Sequence, residues 1–194
     1  MYWTLVYTIK FLIILIFGLD VEGLENIPHE GGAVVAGNHT TLFDPFPIAV
    51  ALKRQIHFMA KQELFEMPII SWILPRVNVF PVKRGLADRE AIRTAQERVK
   101  AGNLLGIFPE GTRNKSDDEV LPLQGGAALI ALKTGVPIIP CVVTNVSPLR
   151  FRKRVKVTFG PQIDLGGPRR ANKESIEEAN HLLSSQFSSL IKKE

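Results

Sequence analysis

The sequence predicts an α/β fold: a central, mostly parallel sheet flanked by helices, with a short hydrophobic helix at the N-terminus. Three observations carry this. From Ala33 onward, short apolar runs alternate with stretches of helical periodicity. Gly37, Gly102 and Gly135 stand where those segments should end. A chain of 194 residues with 45% hydrophobic content is long enough for one sizeable core. No internal repeat or low-complexity segment interrupts the pattern.

In chain order, Ala33-Val34-Val35-Ala36 reads as a buried strand ending at Gly37, and Asp44-Pro45 as a helix start with Pro in the first turn. Ile56 to Ala60 is a second strand. Pro68 to Leu74 suits a short helix, and the alternation of Val77 to Val82 suits a strand. Asp88 to Ala101 sets Ala91, Ile92, Ala95 and Val99 on one helical face. Leu104 to Phe108 is a buried strand, Gly126 to Thr134 a helix closed by Gly135, and Ile138 to Val143 another strand. Val155 to Phe159 alternates apolar and polar residues, so it is expected half-exposed near a sheet edge. From Asn172 to Lys193, Ile176, Ala179, Leu183, Phe187 and Leu190 recur at helical spacing, which predicts a helix over one sheet face.

Met1 to Leu19 is almost wholly apolar. As a helix it would reach about 28 Å, barely the hydrocarbon thickness, and Lys10 at its middle would cost roughly 2.5–3.5 kcal/mol inside a bilayer. A span is therefore disfavoured. A cleaved signal is disfavoured too, since Asp20-Val21-Glu22 follows in place of small residues. Two readings stay open: a helix lying in one leaflet, with Tyr2, Trp3 and Tyr7 at the interface and Lys10 snorkelling to headgroups, or a helix packed on the protein's own core.

The net charge of +5 favours anionic partners, but with an aromatic share of 8% it does not describe a nucleic-acid module. The single cysteine, Cys141, excludes an internal disulfide and fits a reducing compartment; its apolar setting makes it core filler. His29 and His181 stand alone, and His57 has no second ligand at metal spacing, so no metal is assigned.

His39 and Asp44 are the first candidates for chemistry. Five residues of helix would rotate them about 140° apart, so they can meet only across a turn. A strand ending at Gly37 and a helix starting near Asp44 provide one. The carboxylate would then fix the imidazole tautomer and leave the other nitrogen to take a hydroxyl proton. The same residues also fit a plain helix cap and a hydrogen-bonded core histidine. No Gly-x-Ser-x-Gly elbow is present, so the base would activate the substrate's own hydroxyl. Phe108-Pro109-Glu110-Gly111-Thr112-Arg113 follows a strand, where open α/β sheets bind ligands. There the amides of Gly111 and Thr112 could face an anion, Arg113 could grip a phosphate, and Glu110 could orient Arg113 or the acceptor. An ordinary turn with a surface Arg fits equally. Arg84 and Lys61, each just past a strand, are further cations for the same anion. Arg150, Arg152, Lys153, Arg154 and Lys156 form a basic run near Phe151, suited to a solvated hairpin or to anionic headgroups.

Taken in order, four blocks resemble the glycerolipid acyltransferases, in particular the bacterial 1-acylglycerol-3-phosphate (lysophosphatidic acid) acyltransferases. Asn38-His39 through Asp44 matches their His-x4-Asp (HX4D) motif, Phe80-Pro81-Val82-Lys83-Arg84 a second block, Phe108 to Arg113 a third, and Val136 to Cys141 a fourth. The second block carries Lys83 where many relatives have Asp. The resemblance implies an acyltransferase domain over residues 21–194 behind an N-terminal membrane-associated helix over 1–20. His39, assisted by Asp44, would deprotonate the sn-2 hydroxyl of lysophosphatidic acid for attack on an acyl thioester, giving phosphatidic acid. Arg84, Gly111, Thr112 and Arg113 would hold the acceptor phosphate with Lys61, and Glu110 would help position the acceptor. No cofactor is implied; acyl carrier protein or coenzyme A would carry the acyl group. Partners would be lysophosphatidic acid, the acyl donor and an anionic membrane surface, with no nucleic acid, and the site would lie at the cytoplasmic face of the cell membrane. Competing expectations are an acyltransferase for glycerol-3-phosphate or another lysophospholipid, a non-enzymatic lipid-binding protein, and a hydrolase using water.

Overall fold

Strand β2 (Ala33–Gly37) is buried along its whole length because it lies at the middle of the sheet with apolar side chains leaving both faces. In the computed structural model of the chain, residues 1–83, 88–115, 120–146 and 153–192 are described. Seven strands form one sheet in the order β1-β7-β6-β2-β5-β3-β4. The others are β1 (Leu19–Glu22), β3 (Ile56–Lys61), β4 (Val79–Val82), β5 (Leu104–Ile107), β6 (Ile138–Thr144) and β7 (Val155–Phe159). All neighbours pair parallel except β6 with β7, which run antiparallel. β2 pairs Val34 with Leu105 of β5 on one side and with Ile138 of β6 on the other.

Among the described residues the helices are α1 (Tyr2–Ile16), α2 (Pro45–Ala51), α3 (Pro68–Ile73), α4 (Arg89–Lys100), α5 (Gly126–Thr134) and α6 (Lys173–Ile191); α3 buries no residue, and the others cover the two faces. On one face, Val34, Ala36, Leu105 and Ile107 pack against Ala95 and Val99 of α4, Ile130 of α5, and Leu183 and Phe187 of α6. On the other, Val35, Ile139, Cys141 and Val157 pack against Ile48 and Ala51 of α2, with Ile13 of α1 at the margin. Each fully buried Leu, Ile or Phe contributes about 1.5–3 kcal/mol of transfer free energy. The Cys141 thiol is wholly buried and burial pushes its pKa up, as a core residue requires.

The helix predicted to cover a sheet face does so: α6 starts with a capping box at Asn172 and buries Ala179, Leu183, Phe187 and Leu190. Lys193 lies outside the described residues. α4 begins at Asp88, whose side chain accepts from the Ala91 amide. β4 is shorter than the alternation of Val77 to Val82 suggests, because Leu74–Val77 wind into a 3₁₀ turn closed by left-handed Asn78. β7 lies one strand in from the edge, and β1 lies outside it. α1 stops at Ile16, Gly18 turns the chain at φ +83°, and Leu19 to Glu22 then extend along β7.

α1 packs on the protein's own core through Tyr2 and Val6, which are buried against Val50 of α2, while Tyr7, Phe11, Leu12, Ile14 and Leu15 are exposed. Tyr2, expected at a membrane interface, is instead held inside, where its hydroxyl oxygen accepts from the Ile56 N–H at 3.1 Å. No described helix is long and apolar enough to cross a membrane.

His57 on β3 is buried, and its Nδ1 has no hydrogen-bond partner among the described residues. Burial first, and then the Arg98 guanidinium, lower its pKa from 6.5 to about 4, against an opposing hydrogen bond with Asn103. Above pH 6.5 His57 is neutral folded and unfolded, so its full contribution to stability is present there. As pH falls toward 4 the unfolded chain binds the proton first and stability drops. Denaturant midpoints measured across that window should fall, and His57→Gln should flatten the fall; an equal slope in the variant would contradict this assignment.

Candidate active site

At its C-terminal end β2 runs into a turn whose geometry is fixed by hydrogen bonds to neighbouring strands and loops. Asn38 is buried, and its amide makes a reciprocal pair with the backbone of Val143: Nδ2 donates to the carbonyl at 3.1 Å, and Oδ1 accepts from the N–H at 2.7 Å. The next residue is clamped from the other side. The His39 N–H donates to Glu110 Oε1 at 2.8 Å, and the His39 carbonyl accepts from the Asn114 N–H at 2.6 Å. The two segments singled out in the sequence are thus bonded to each other through the backbone of His39.

Asp44 sits at the N-terminal boundary of α2, but its side chain makes no capping bond to that helix. It turns back instead. Oδ2 accepts from the amides of Thr40 and Thr41 at 2.7 and 2.8 Å, and Oδ1 accepts from the Thr41 hydroxyl at 2.9 Å. The same Oδ2 lies 2.9 Å from His39 Nδ1. An oxygen that already takes two amide donors is an acceptor, so the shared proton belongs to Nδ1 and Nε2 keeps its lone pair. Asp44 is 0% exposed, whereas 8% of the His39 side-chain surface remains accessible. Among the described residues nothing hydrogen-bonds to Nε2.

The ring is held by stacking as well. Phe108 lies 4.3 Å from the His39 centroid at 22°, and Phe58 lies behind Phe108 at 6.1 Å and 10°. Two glycines make room for this stack. A Cβ at Gly106 would collide with the Phe58 ring, and one at Gly37 would come within 3.1 Å of Phe108. Asn38, Thr40, Thr41 and Phe108 carry no separate role in the sequence reading. The signal available for Asn38 was a polar residue directly continuing a wholly apolar strand.

The remaining candidates fall into two groups. Glu110 faces inward: besides the His39 amide, its Oε2 accepts from the Leu121 amide at 3.2 Å. Burial pushes its carboxyl pKa up, while these amide bonds pull it back. The Gly111 amide donates to the Phe108 carbonyl at 3.0 Å, so it is engaged within the turn. Thr112 and Arg113 are exposed, and so is Lys61, which pairs with Glu63 at 2.7 Å. Lys61 ends β3 and Arg113 follows β5, two adjacent parallel strands, so both leave the same rim of the sheet as His39. Arg84, the second-block cation, lies outside the described residues, as do Arg150 and Arg152 of the basic run and Phe151 beside them. The arrangement can abstract a proton at Nε2 and stabilise the resulting imidazolium against a buried carboxylate.

Comparison with known proteins identifies the family. The family model described as Acyltransferase matches residues 18–144, which include both bonded segments. A 1-acyl-sn-glycerol-3-phosphate acyltransferase of Bacillus subtilis (strain 168) is 36% identical over 156 residues, 78% of this chain and 77% of that protein. One from Streptococcus pneumoniae is 33% identical over 172 residues, 86% of this chain and 63% of the relative. The crystal structure of the lysophosphatidic acid acyltransferase PlsC from Thermotoga maritima superposes with a TM-score of 0.67 at 28% identity, covering 89% of this chain and 71% of the other. The chain therefore belongs to the acyltransferase family in which these 1-acyl-sn-glycerol-3-phosphate acyltransferases are found.

Proposed function

We propose that the chain transfers a fatty acyl group from an acyl thioester to the sn-2 hydroxyl of 1-acylglycerol-3-phosphate, forming phosphatidic acid. The observation that carries this reading is the contact of 2.9 Å between His39 Nδ1 and the buried Asp44 carboxylate, which leaves Nε2 basic toward the substrate. The acceptor hydroxyl gives its proton to Nε2 as its oxygen bonds the thioester carbonyl carbon. When the tetrahedral adduct collapses, the carbon–sulfur bond breaks and the imidazolium returns that proton to the departing thiolate. No cofactor enters the balance. Acyl carrier protein or coenzyme A serves as the carrier of the acyl group, and either satisfies the same chemistry.

Glu110 acts in this scheme by position: bonded to the His39 amide, it sets the height of the catalytic ring above β5. Arg113 and Thr112 receive the acceptor phosphate with Arg84 and Lys61, a role supported by the exposure of Arg113 and Lys61 on the rim that carries His39. Gly111 contributes the turn that brings Thr112 and Arg113 outward, since its φ of +69° suits glycine. α1 docks in one leaflet at the cytoplasmic face of the cell membrane, with its exposed apolar stripe among acyl chains and anionic headgroups around it.

His39→Ala should lower turnover by roughly 10²- to 10⁴-fold in an assay of diacylated product from lysophosphatidic acid and a thioester donor. Far-ultraviolet circular dichroism should stay unchanged. Full activity in the folded variant rules out His39 as the base. Arg113→Ala should raise KM for lysophosphatidic acid far more than it lowers kcat, and Arg113→Lys should recover only part of the loss. An unchanged KM in both variants would remove Arg113 from the phosphate site.

A further inference from the structure

Between α4 and α5 lies an open groove of about 520 Å³, on the face of the sheet opposite α1 and α2. Half-buried Ile92 and Leu129 give it an apolar floor, and exposed Arg89, Arg93 and Lys133 stand along it from both helices, with Gln96 between them. No carboxylate lines it. Among the described residues Arg89 and Lys133 form no salt bridge, and Arg93 meets Glu97 at 3.6 Å between two exposed side chains, a pairing worth little. Lys133 suits the last turn of α5, but Arg89 opens α4, the end of a helix at which the dipole disfavours a cation. Local helix stability therefore does not account for Arg89.

Both helices start at the rim of the sheet that carries His39. The Lys83 N–H, just past β4, donates to Asp88 Oδ2 at the start of α4 at 2.8 Å. The Gln124 N–H, just before α5, donates to the Pro109 carbonyl at 2.6 Å, next to the Glu110 that bonds the His39 amide. β4, β3, β5 and β2 run parallel, so these ends lie along one edge of the sheet with His39. The first turn of α4 carries Arg89 and Ile92, and the groove therefore begins at that edge.

We infer that this groove docks an acidic acyl carrier protein, which lays a helix bearing carboxylates between Arg89, Arg93 and Lys133 and passes its thioester over the rim to His39. Two helices with cations above an apolar floor suit one amphipathic helix of opposite charge. The occupant is a protein rather than a nucleotide coenzyme, because the groove offers two aliphatic side chains and no aromatic ring on which a purine would stack. The groove also lies on the face turned away from α1, so a soluble donor and a lipid acceptor approach from different sides. This inference rests on the acyl-transfer reading above and names the donor that the reading leaves open.

The test compares the natural chain with one carrying Arg89→Glu, Arg93→Glu and Lys133→Glu, using lysophosphatidic acid as acceptor and palmitoyl groups on bacterial acyl carrier protein or on coenzyme A as donors. Charge reversal should raise KM for the carrier protein roughly tenfold or more with little change in kcat, and leave KM for the coenzyme unchanged. In the natural chain KM for the carrier protein should rise with salt, and Gln at the same three positions should flatten that rise. The Gln set also gives the donor comparison if the charge-reversed chain fails to fold. An equal change with both donors, or none with the carrier protein, overturns the proposal. So does a natural chain that accepts acyl groups from coenzyme A alone, a result that leaves the acyl-transfer reading standing. Weakened binding to anionic vesicles with an unchanged KM assigns the groove to headgroups and likewise overturns it. If neither donor is used, the acyl-transfer reading falls and binding of the holo-carrier protein decides the docking. Binding to the natural chain that charge reversal abolishes upholds it, and binding to both chains or to neither overturns it.

Discussion

One buried carboxylate organises the site. Asp44 is buried, and its carboxylate is met by the His39 ring, two backbone amides and two threonine hydroxyls, all supplied by residues 39 to 41. A carboxylate removed from water without such partners would cost many kcal/mol or take up a proton. With them it does two things together: it bends the chain between β2 and α2 into one shape, and it fixes which imidazole nitrogen carries hydrogen. The bend and the orientation of the His39 ring are consequences of the same set of bonds.

The rest of the fold supplies a stationary frame for that bend. β2 is the middle strand and is paired on both sides, so the residues that leave its end start from backbone hydrogen-bonded along both edges. Asn38 bonds the first of them to β6, and Glu110 and Asn114 bond the second to the loop after β5. Three strands thus converge on His39, and the Phe58–Phe108 stack supports its ring from beneath. The two faces of the sheet differ in character. One is closed by α4, α5 and α6, while on the other α1 and α2 leave apolar side chains exposed, Phe46 among them, with Leu42 and Phe43 in the turn before α2.

Much of this was legible in the residues because it depends on local pattern. The apolar runs of β2, β5 and β6 and the limits of α4 and α5 follow from periodicity and from capping residues such as Asp88 and Gly135. That His39 and Asp44 could meet only across a bend follows from helix geometry, while whether they meet was left open between that bend and a plain cap; the distance of 2.9 Å decides for the bend. What was not legible depends on partners far away in sequence. β1 is concealed because Leu19 continues the apolar stretch of α1, and only pairing with β7 makes it a strand. The inward turn of Glu110 depends on the amides of His39 and Leu121, which no local pattern in Phe108 to Arg113 announces. Phe108 is apolar in either reading, and its stacking on His39 appears only once β2 and β5 lie side by side.

The central claim is that Asp44 holds the proton on Nδ1 of His39 and leaves Nε2 free to act as a base. Nitrogen-15 and proton NMR of the imidazole groups, in the folded chain at neutral pH, test it most directly. The account predicts a His39 resonance pair in which Nδ1 bears a slowly exchanging proton shifted downfield by the carboxylate, Nε2 is unprotonated, and the signal is lost in Asp44→Asn. A proton found on Nε2, or a His39 spectrum indifferent to that substitution, would contradict it.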